Sequence, residues 1–111
     1  KNATGYDHNW CLNTYKDGKG DDTKVCASLY SPITGILLEM YTNEPGVQVY
    51  TGNFQGTGMA CKHGIKYPKH VSVCLESQKY PDSPNKKDWP SPYLKPGEKY
   101  HSHVAYKFSI K

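Results

Sequence analysis

The chain has 111 residues, a length that fits one small domain with one hydrophobic core, so we expect residues 1–111 to form a single segment. Ten glycines and eight prolines interrupt the sequence so often that no stretch has the apolar repeat of a three-turn helix, which predicts an all-β chain. The formal net charge is +4, but the basic residues are scattered lysines; the lack of arginine, which contacts phosphate and guanine bidentately, argues against a nucleic-acid partner.

Polar and aromatic residues stand together near the start of the chain. Asp7, His8 and Asn9 could hydrogen-bond a polyol while the indole of Trp10 covers its apolar face. A turn capped by Asp7 explains the same residues without a ligand. The next segment, 15–23, is charged and rich in glycine, which predicts a surface loop.

The first clear strand signal is a predicted hairpin. Residues 25–30 and residues 36–41 each alternate along the chain, as the two sides of a strand do. The sequence Ser-Pro-Ile-Thr-Gly at 31–35 separates them and predicts a five-residue hairpin loop.

A third strand and a long loop follow. After a turn at 43–46, the alternation at 47–51 predicts a strand whose valines face one way while Gln48 and Tyr50 face the other. Four glycines between residues 51 and 64 predict a loop. Their spacing matches neither a dinucleotide fingerprint nor a phosphate-binding loop, so no cofactor is expected there.

The best candidate for chemistry is a strand that leads into a proline-bounded loop. Residues 71–76 alternate apolar with small polar residues, which predicts a strand that points Glu76 away from the core. Pro81 and Pro84 then end the strand because they donate no backbone hydrogen bond. A carboxylate at a strand end beneath a stiff polar loop suits a catalytic base. A solvated glutamate explains the same pattern.

The remaining signals concern the closing strand and the compartment. Alternation at 104–110 predicts a last strand. The four cysteines lack the paired spacing of a structural zinc site. Two disulfides are arithmetically possible, but three of the cysteines lie in strand-like or apolar surroundings, where a reduced cysteine behaves as a small hydrophobic residue. We therefore expect reduced thiols, a cytoplasmic location and no metal. No apolar run is long enough to cross a membrane, so no membrane partner is expected.

Several motifs stand in a recognisable order. They are Gly-Tyr-Asp-His-Asn-Trp at 5–10, Glu-Pro-Gly-Val-Gln-Val-Tyr-Thr-Gly-Asn-Phe at 44–54, Val-Cys-Leu-Glu-Ser-Gln-Lys-Tyr-Pro-Asp-Ser-Pro-Asn at 73–85, Leu-Lys-Pro-Gly-Glu-Lys-Tyr at 94–100 and Val-Ala-Tyr-Lys-Phe at 104–108. In this order and spacing they resemble the C-terminal third of the aldose 1-epimerase (galactose mutarotase) family. The resemblance covers nearly the whole chain, from Tyr6 to Ile110.

The resemblance implies a fold and three residue roles. The fold would be part of a galactose-mutarotase-like β-supersandwich, made of antiparallel strands and long loops, with the sugar held on a concave sheet. Glu76 would be the general base, and Asp7 and Gln48 would hydrogen-bond the sugar hydroxyls. The alternation of the residues agrees on one point, since Gln48 and Glu76 both fall on the polar sides of their strands.

The implied reaction interconverts the α- and β-anomers of an aldohexose such as galactose or glucose. A base takes the proton of the anomeric hydroxyl while an acid protonates the ring oxygen, and no metal or organic cofactor is needed. In the family the acid histidines lie in segments that this chain lacks, and none of its own histidines matches their motifs. The resemblance thus implies that this sequence contains the base without the acid. Lys79 also stands where the family commonly has a histidine.

Part of a sandwich would leave edge strands and an apolar face uncovered, so we expect association with the N-terminal part of the enzyme or with further copies of this chain. Two other functions stay open. One is a non-catalytic sugar-binding protein that keeps Asp7, Gln48 and the aromatic residues. The other is a tyrosine-rich basic module for single-stranded nucleic acid, which the absence of arginine disfavours.

Overall fold

The computed structural model describes residues 4–56, 58 and 60–111, and within these ranges the regular structure consists of strands and two single-turn 3-10 helices. The strands are β1 (Asp7–Cys11), β2 (Tyr15–Lys16), β3 (Lys19–Gly20), β4 (Ala27–Tyr30), β5 (Ile36–Thr42), β6 (Gly46–Tyr50), β7 (Cys74–Gln78) and β8 (Val104–Ile110). The 3-10 helices are Lys62–Gly64 and Ser83–Asn85. The all-β prediction is therefore confirmed. Neither of these short helices has the length or the apolar character needed to traverse a bilayer, and the described ranges contain no other helix.

Two antiparallel three-stranded sheets form the body of the fold. The first sheet has the strand order β1-β6-β7, and the second has the order β4-β5-β8. The charged segment 15–23, which was predicted to be a loop, contains the small β2–β3 hairpin instead. Its reversal is possible because Asp17 and Gly18 both adopt positive φ.

The predicted hairpin is present, with the loop where the sequence placed it. Strands β4 and β5 pair antiparallel, and Tyr30 lies opposite Leu37. Gly35 closes the loop with φ +72°, a left-handed conformation that favours glycine, and its N–H donates to the Ser31 carbonyl at 2.8 Å. The closing strand β8 occupies the predicted residues and adds to the other edge of β5.

The core is small and lies where the two sheets meet. Four apolar side chains are buried among the described residues, and they contact one another: Leu12, Met40, Val47 and Leu75. Burial of a side chain of this size contributes about 1.5–3 kcal/mol relative to leaving it exposed. The second sheet extends beyond this core, since Phe108 on β8 remains 66% exposed and Ile110 remains 77% exposed.

The strand predicted at 71–76 is wrong in its bounds. Pairing with β6 begins only at Cys74, which lies opposite Tyr50, and it continues to Gln78. The residues just before Cys74 have no partner strand, because the chain after Tyr50 turns away at Gly52, where φ is +60°. His70 contacts that turn, because its backbone N–H donates a hydrogen bond to the Gly52 carbonyl. Glu76 therefore lies in the middle of its strand and not at the end.

Candidate functional site

One face of the first sheet carries a set of polar side chains. The register places Gln48 on the central strand directly opposite Asn9 on one side and Glu76 on the other. Side chains that alternate along paired strands share a face, so Asp7 and Gln78 lie on this face as well. We call these five residues the polar wall. Directly opposite residues have Cβ atoms about 5 Å apart, which brings Gln48 and Glu76 within reach of one small ligand.

The opposite face of the same strands explains why the wall is polar. Val47 and Leu75 alternate with Gln48 and Glu76, and both are buried in the core. A slip of one residue in the pairing would expose these apolar side chains and bury the polar ones. Burial of one face thus determines which side chains the other face presents.

Hydrogen bonds order the amides of the wall. The Nε2 of Gln48 donates to Oδ1 of Asp7 at 2.8 Å. The Nε2 of Gln78 lies 3.5 Å from both Oδ1 of Asn9 and Oε1 of Gln48, at the outer limit of a hydrogen bond. Gln48 therefore has its amide nitrogen oriented toward Asp7 and its amide oxygen toward Gln78.

Glu76 differs from the other members of the wall. Its side chain is exposed, and within the part of the chain that the structure describes its carboxylate forms no hydrogen bond or ion pair. A carboxylate without a committed partner can accept a proton from a ligand hydroxyl placed beside Gln48. The same exposure fits a solvated glutamate, so what distinguishes Glu76 is its position in the wall.

The cluster predicted at the start of the chain is divided by the strand it lies on. Residues 7–11 form β1 and not a turn, so Asp7 and Asn9 face the wall while His8 and Trp10 point to the other side of the sheet. The indole of Trp10 consequently cannot cover a ligand that Asp7 holds.

Other aromatic residues border the wall. Tyr50 shares its face, opposite Asp7, and the Tyr50 hydroxyl accepts a hydrogen bond from the Phe54 N–H at 3.0 Å. At the other end, a Cβ added to Gly46 would lie 2.9 Å from the ring of Tyr80, which shows how closely that ring approaches β6. Tyr80 in turn packs edge-to-face with Trp89, with ring centroids 5.6 Å apart.

Two residues of the polar wall, Gln78 and Asn9, were not predicted from the sequence to share a sheet face with Gln48 and Glu76. Gln78 stands two residues after Glu76 and hence on the same face, but the predicted strand ended before it. Asn9 was considered only as part of the polyol cluster with Trp10. If the predicted strand had been extended to Gln78, this residue would have been placed on the same face as Glu76, because period-two alternation continues through it.

A buried carboxylate lies behind one end of the wall, in a stretch that was predicted only as a turn. Glu44 is 1% exposed; its Oε2 lies 2.5 Å from Nζ of Lys79, and its Oε1 accepts a hydrogen bond from the Tyr100 hydroxyl at 2.7 Å. Burial by itself raises the pKa of Glu44, but hydrogen bonds from Lys79, Tyr100 and Ser102 outweigh it and hold the pKa below its ordinary value.

The remaining candidates lie elsewhere. His63 is exposed within a 3-10 turn, and Nδ1 of His70 lies 2.9 Å from the Thr51 carbonyl, where it stabilises the turn after β6. Residues 4–56, 58 and 60–111 contain no group of three or more histidine, cysteine or acidic side chains arranged to hold a metal ion.

The sequence is similar to that of known proteins over nearly its whole length. The family model described as Aldose 1-epimerase matches residues 1–107. A galactose mutarotase from Mus musculus is 44% identical over 106 residues, which cover 96% of this chain and 30% of that protein. An aldose 1-epimerase from Escherichia coli (strain K12) is 39% identical over 110 residues, which cover 97% of this chain and 30% of that protein.

A solved structure shows the same relationship. The aldose epimerase homologue from C. elegans matches with a TM-score of 0.73 and 25% sequence identity, over 95% of this chain and 30% of that one. The predicted galactose-mutarotase-like fold is confirmed by this match. The chain spans about 30% of the length of the relatives it matches.

Proposed function

We infer, because this chain belongs to the aldose 1-epimerase family, that it supplies the base-bearing, sugar-binding wall of a mutarotase acting on an aldohexose such as galactose or glucose. The observation that carries this proposal is the row formed by Asn9, Gln48 and Glu76, in which an uncommitted carboxylate stands beside an oriented amide. Asp7 extends the same face and accepts a hydrogen bond from Gln48.

The wall suits recognition of a pyranose. Sugar hydroxyls both donate and accept hydrogen bonds, and the wall offers both functions. The Gln48 amide has a second N–H besides the one directed at Asp7, and the Asp7 carboxylate can accept further hydrogen bonds. We propose that these two residues hold the hydroxyls so that the anomeric hydroxyl reaches Glu76.

The proposed reaction uses Glu76 as the general base. Its carboxylate takes the proton from the anomeric hydroxyl, the bond between C1 and the ring oxygen breaks, and the ring oxygen receives a proton from an acid. Rotation about C1–C2 turns the aldehyde over. On reclosure the ring oxygen attacks C1 and returns its proton to the acid, and Glu76 returns its proton to the former carbonyl oxygen. General-base catalysis of this kind contributes about 10²- to 10⁴-fold.

We propose that the acid is supplied by a part of the epimerase domain other than residues 1–111. The chain spans about 30% of its relatives, and none of its histidines matches the family's acid motifs. We propose that residues 1–111 are one segment of the epimerase domain and that the N-terminal part of such a domain is its partner. The exposed Phe108 and Ile110 support such a partner, because they extend the inner face of the second sheet beyond its core.

Polarimetry of freshly dissolved α-D-galactose and α-D-glucose tests this proposal. The chain is assayed alone and after mixing with a separately produced polypeptide comprising the part of the Escherichia coli relative that it does not match. We expect faster mutarotation only in the mixture. Glu76→Gln should lower that rate by about 10²- to 10⁴-fold while sugar binding persists. The matched control is Glu98→Gln, in an exposed turn, which should leave the rate unchanged.

Two results would contradict the proposal in different ways. Undiminished turnover in Glu76→Gln would remove this glutamate from the role of base. Sugar binding without any acceleration, in the chain and in the mixture alike, would favour the second candidate function, a non-catalytic sugar-binding protein. The observation that favours this second candidate is that Asp7 and Gln48 form a binding pair independently of any acid. Chemical-shift changes on titration with galactose measure binding in both cases.

The compartment is a further part of the proposal. We propose a cytoplasmic location, in which Cys11, Cys26 and Cys74 remain thiols. In support, Sγ of Cys26 lies 3.2 Å from the Met40 carbonyl, a contact in which a thiol donates a hydrogen bond.

A further inference from the structure

The buried Glu44 and its partner Lys79 occupy a particular place relative to the wall. Glu44 lies two residues before the first residue of β6, and Lys79 directly follows the last residue of β7. The final pair of the β6–β7 ladder is Gly46 with Gln78. One step further, the same register sets Pro45 opposite Lys79, so the lysine reaches Glu44 diagonally across the two strands.

The pair is held from several sides. Lys79 Nζ also lies 5.9 Å from the ring centroid of Tyr100, whose hydroxyl donates to the other oxygen of Glu44. The Glu44 N–H donates to Oγ1 of Thr42 at 3.1 Å, and that hydroxyl donates to the His103 carbonyl at 2.7 Å. Glu44 is therefore joined to the end of β5 through its backbone N–H, and to the residue after β7 and the segment that leads into β8 through its carboxylate.

A buried ion pair is an expensive way to stabilise a fold. Removing two charges from water costs several kcal/mol per ion, and apolar residues at the same positions often stabilise as well or better. Buried polar groups are best attested as devices that specify register. Here a slip of one residue would turn the side chains of the strand to the other face and separate Gln48 from Glu76.

We propose that the Glu44–Lys79 pair is a positioning device, which holds β6 and β7 in the register that places Gln48 beside Glu76. Neither residue touches the sugar in this arrangement. Its importance for sugar recognition rests on the proposed function, but its effect on the two strands is independent of any ligand.

The test uses NMR spectroscopy on the 111-residue chain and on Glu44→Gln. We expect hydrogen exchange at the amides of β6 and β7 to accelerate about tenfold more than at the amides of β5 and β8, beyond whatever acceleration a loss of overall stability brings to both sheets. The side-chain amide resonances of Gln48 should also shift, because its neighbours move. A role confined to overall stability would accelerate exchange in both sheets equally and would leave the Gln48 resonances of the folded protein in place.

Three further variants keep the result decisive. Lys79→Gln removes the charge from the half-buried partner and serves if Glu44→Gln does not fold. Lys79→Arg keeps the charge, so its hydrogen-exchange rates and its Gln48 side-chain resonances should match those of the unaltered chain. Lys107→Met removes a less buried pair, Lys107–Glu39, in the second sheet and should leave β6 and β7 unchanged. Uniform acceleration, or no change at the wall in Glu44→Gln and in Lys79→Gln, would overturn the proposal.

A galactose titration separates this proposal from the proposed function. If both hold, the affinity falls about tenfold in Glu44→Gln and recovers in Lys79→Arg. If the unaltered chain fails to bind any aldohexose, the sugar-binding function is wrong, whereas the exchange and resonance measurements still decide the role of the pair.

Discussion

The two sheets use their exposed surface in opposite ways. In the first sheet the valines and leucine are turned into the core, and the exposed face carries the amides and carboxylates of the polar wall. In the second sheet the inner face itself is partly uncovered, because Phe108 and Ile110 extend past the point where the first sheet ends. Exposure therefore takes two forms here. In the first sheet the exposed groups are polar and solvated, whereas in the second sheet apolar side chains lie in water because none of the described residues packs over them.

The largest expected effect on stability comes from Met40→Ala, at the contact between the two sheets. Met40 is 0% exposed and belongs to the core cluster, in which buried Val47 and Leu75 of the first sheet pack with partly buried Leu29 and Leu38 of the second. The cavity left by truncation should lower the free energy of unfolding by about 2–5 kcal/mol. Urea denaturation measures this loss. Ile33→Ala, in the hairpin loop where the side chain is 95% exposed, is the control and should stay within about 0.5 kcal/mol of the unaltered chain.

The next expected effect is a loss of stability at low pH. It arises from Glu44, which lies two residues before β6 at the end of the first sheet. The pKa of Glu44 is lower in the folded chain than in the unfolded chain, so its contribution to stability is fully present above the unfolded value and is lost as pH falls through the folded value. We expect the melting temperature to fall progressively below about pH 4.3. At neutral pH, Glu44→Gln should cost about 3 kcal/mol of unfolding free energy, because it leaves the Lys79 charge without its partner.

The acid profile has other contributors, so the informative quantity is a difference. A hydrogen bond from Thr23 and the neighbouring Lys24 lower the pKa of Asp21 to about 2, and a hydrogen bond from Asn85 lowers the pKa of Asp82. Both carboxylates are retained in Glu44→Gln. The melting temperature of that variant should therefore depend less on pH than that of the unaltered chain. Identical slopes in the two proteins would show that Glu44 does not contribute.

The smallest expected effect on stability, and the sharpest contrast between the sheets, comes from polar substitution on the uncovered face. Phe108→Ser and Ile110→Thr remove apolar surface that is already mostly in water, so the free energy of unfolding should change by no more than about 1 kcal/mol. Self-association, measured by sedimentation velocity, should decrease. Unchanged or increased self-association would contradict the expectation that copies of the chain associate through this face. A loss of stability as large as that of Met40→Ala would mean that the face is covered within the chain itself.

The accuracy of the sequence predictions follows the range of the interactions involved. The hairpin of β4 and β5 and the closing strand β8 were located correctly, because alternation and turn residues act over a few positions. The strand at 71–76 was displaced, since its start depends on where β6 ends as a partner. The prediction that Asp7 and Trp10 bind a polyol together was wrong for a related reason. Side chains alternate between the two faces along a strand, so these two residues, three positions apart, point to opposite faces.

The candidate site shows the same division. Asp7, Gln48 and Glu76 were selected through the resemblance of their motifs, and the alternation placed two of them on polar faces. Gln78 and Glu44 were missed because nothing in their local sequence distinguishes them. An amide near a strand end and a glutamate in a turn are ordinary surface residues until the partners around them are known.

The sequence by itself determined the all-β class, the alternation of most strands and the family, since these depend on residues within reach of one another along the chain. Only the tertiary structure decided which polar residues form one wall and that Glu44 is buried against Lys79. The physical reason is that strand pairing joins residues far apart along the chain, such as Gln48 with Glu76, 28 positions away, or with Asn9, 39 positions away, and no local pattern encodes which strands will be neighbours.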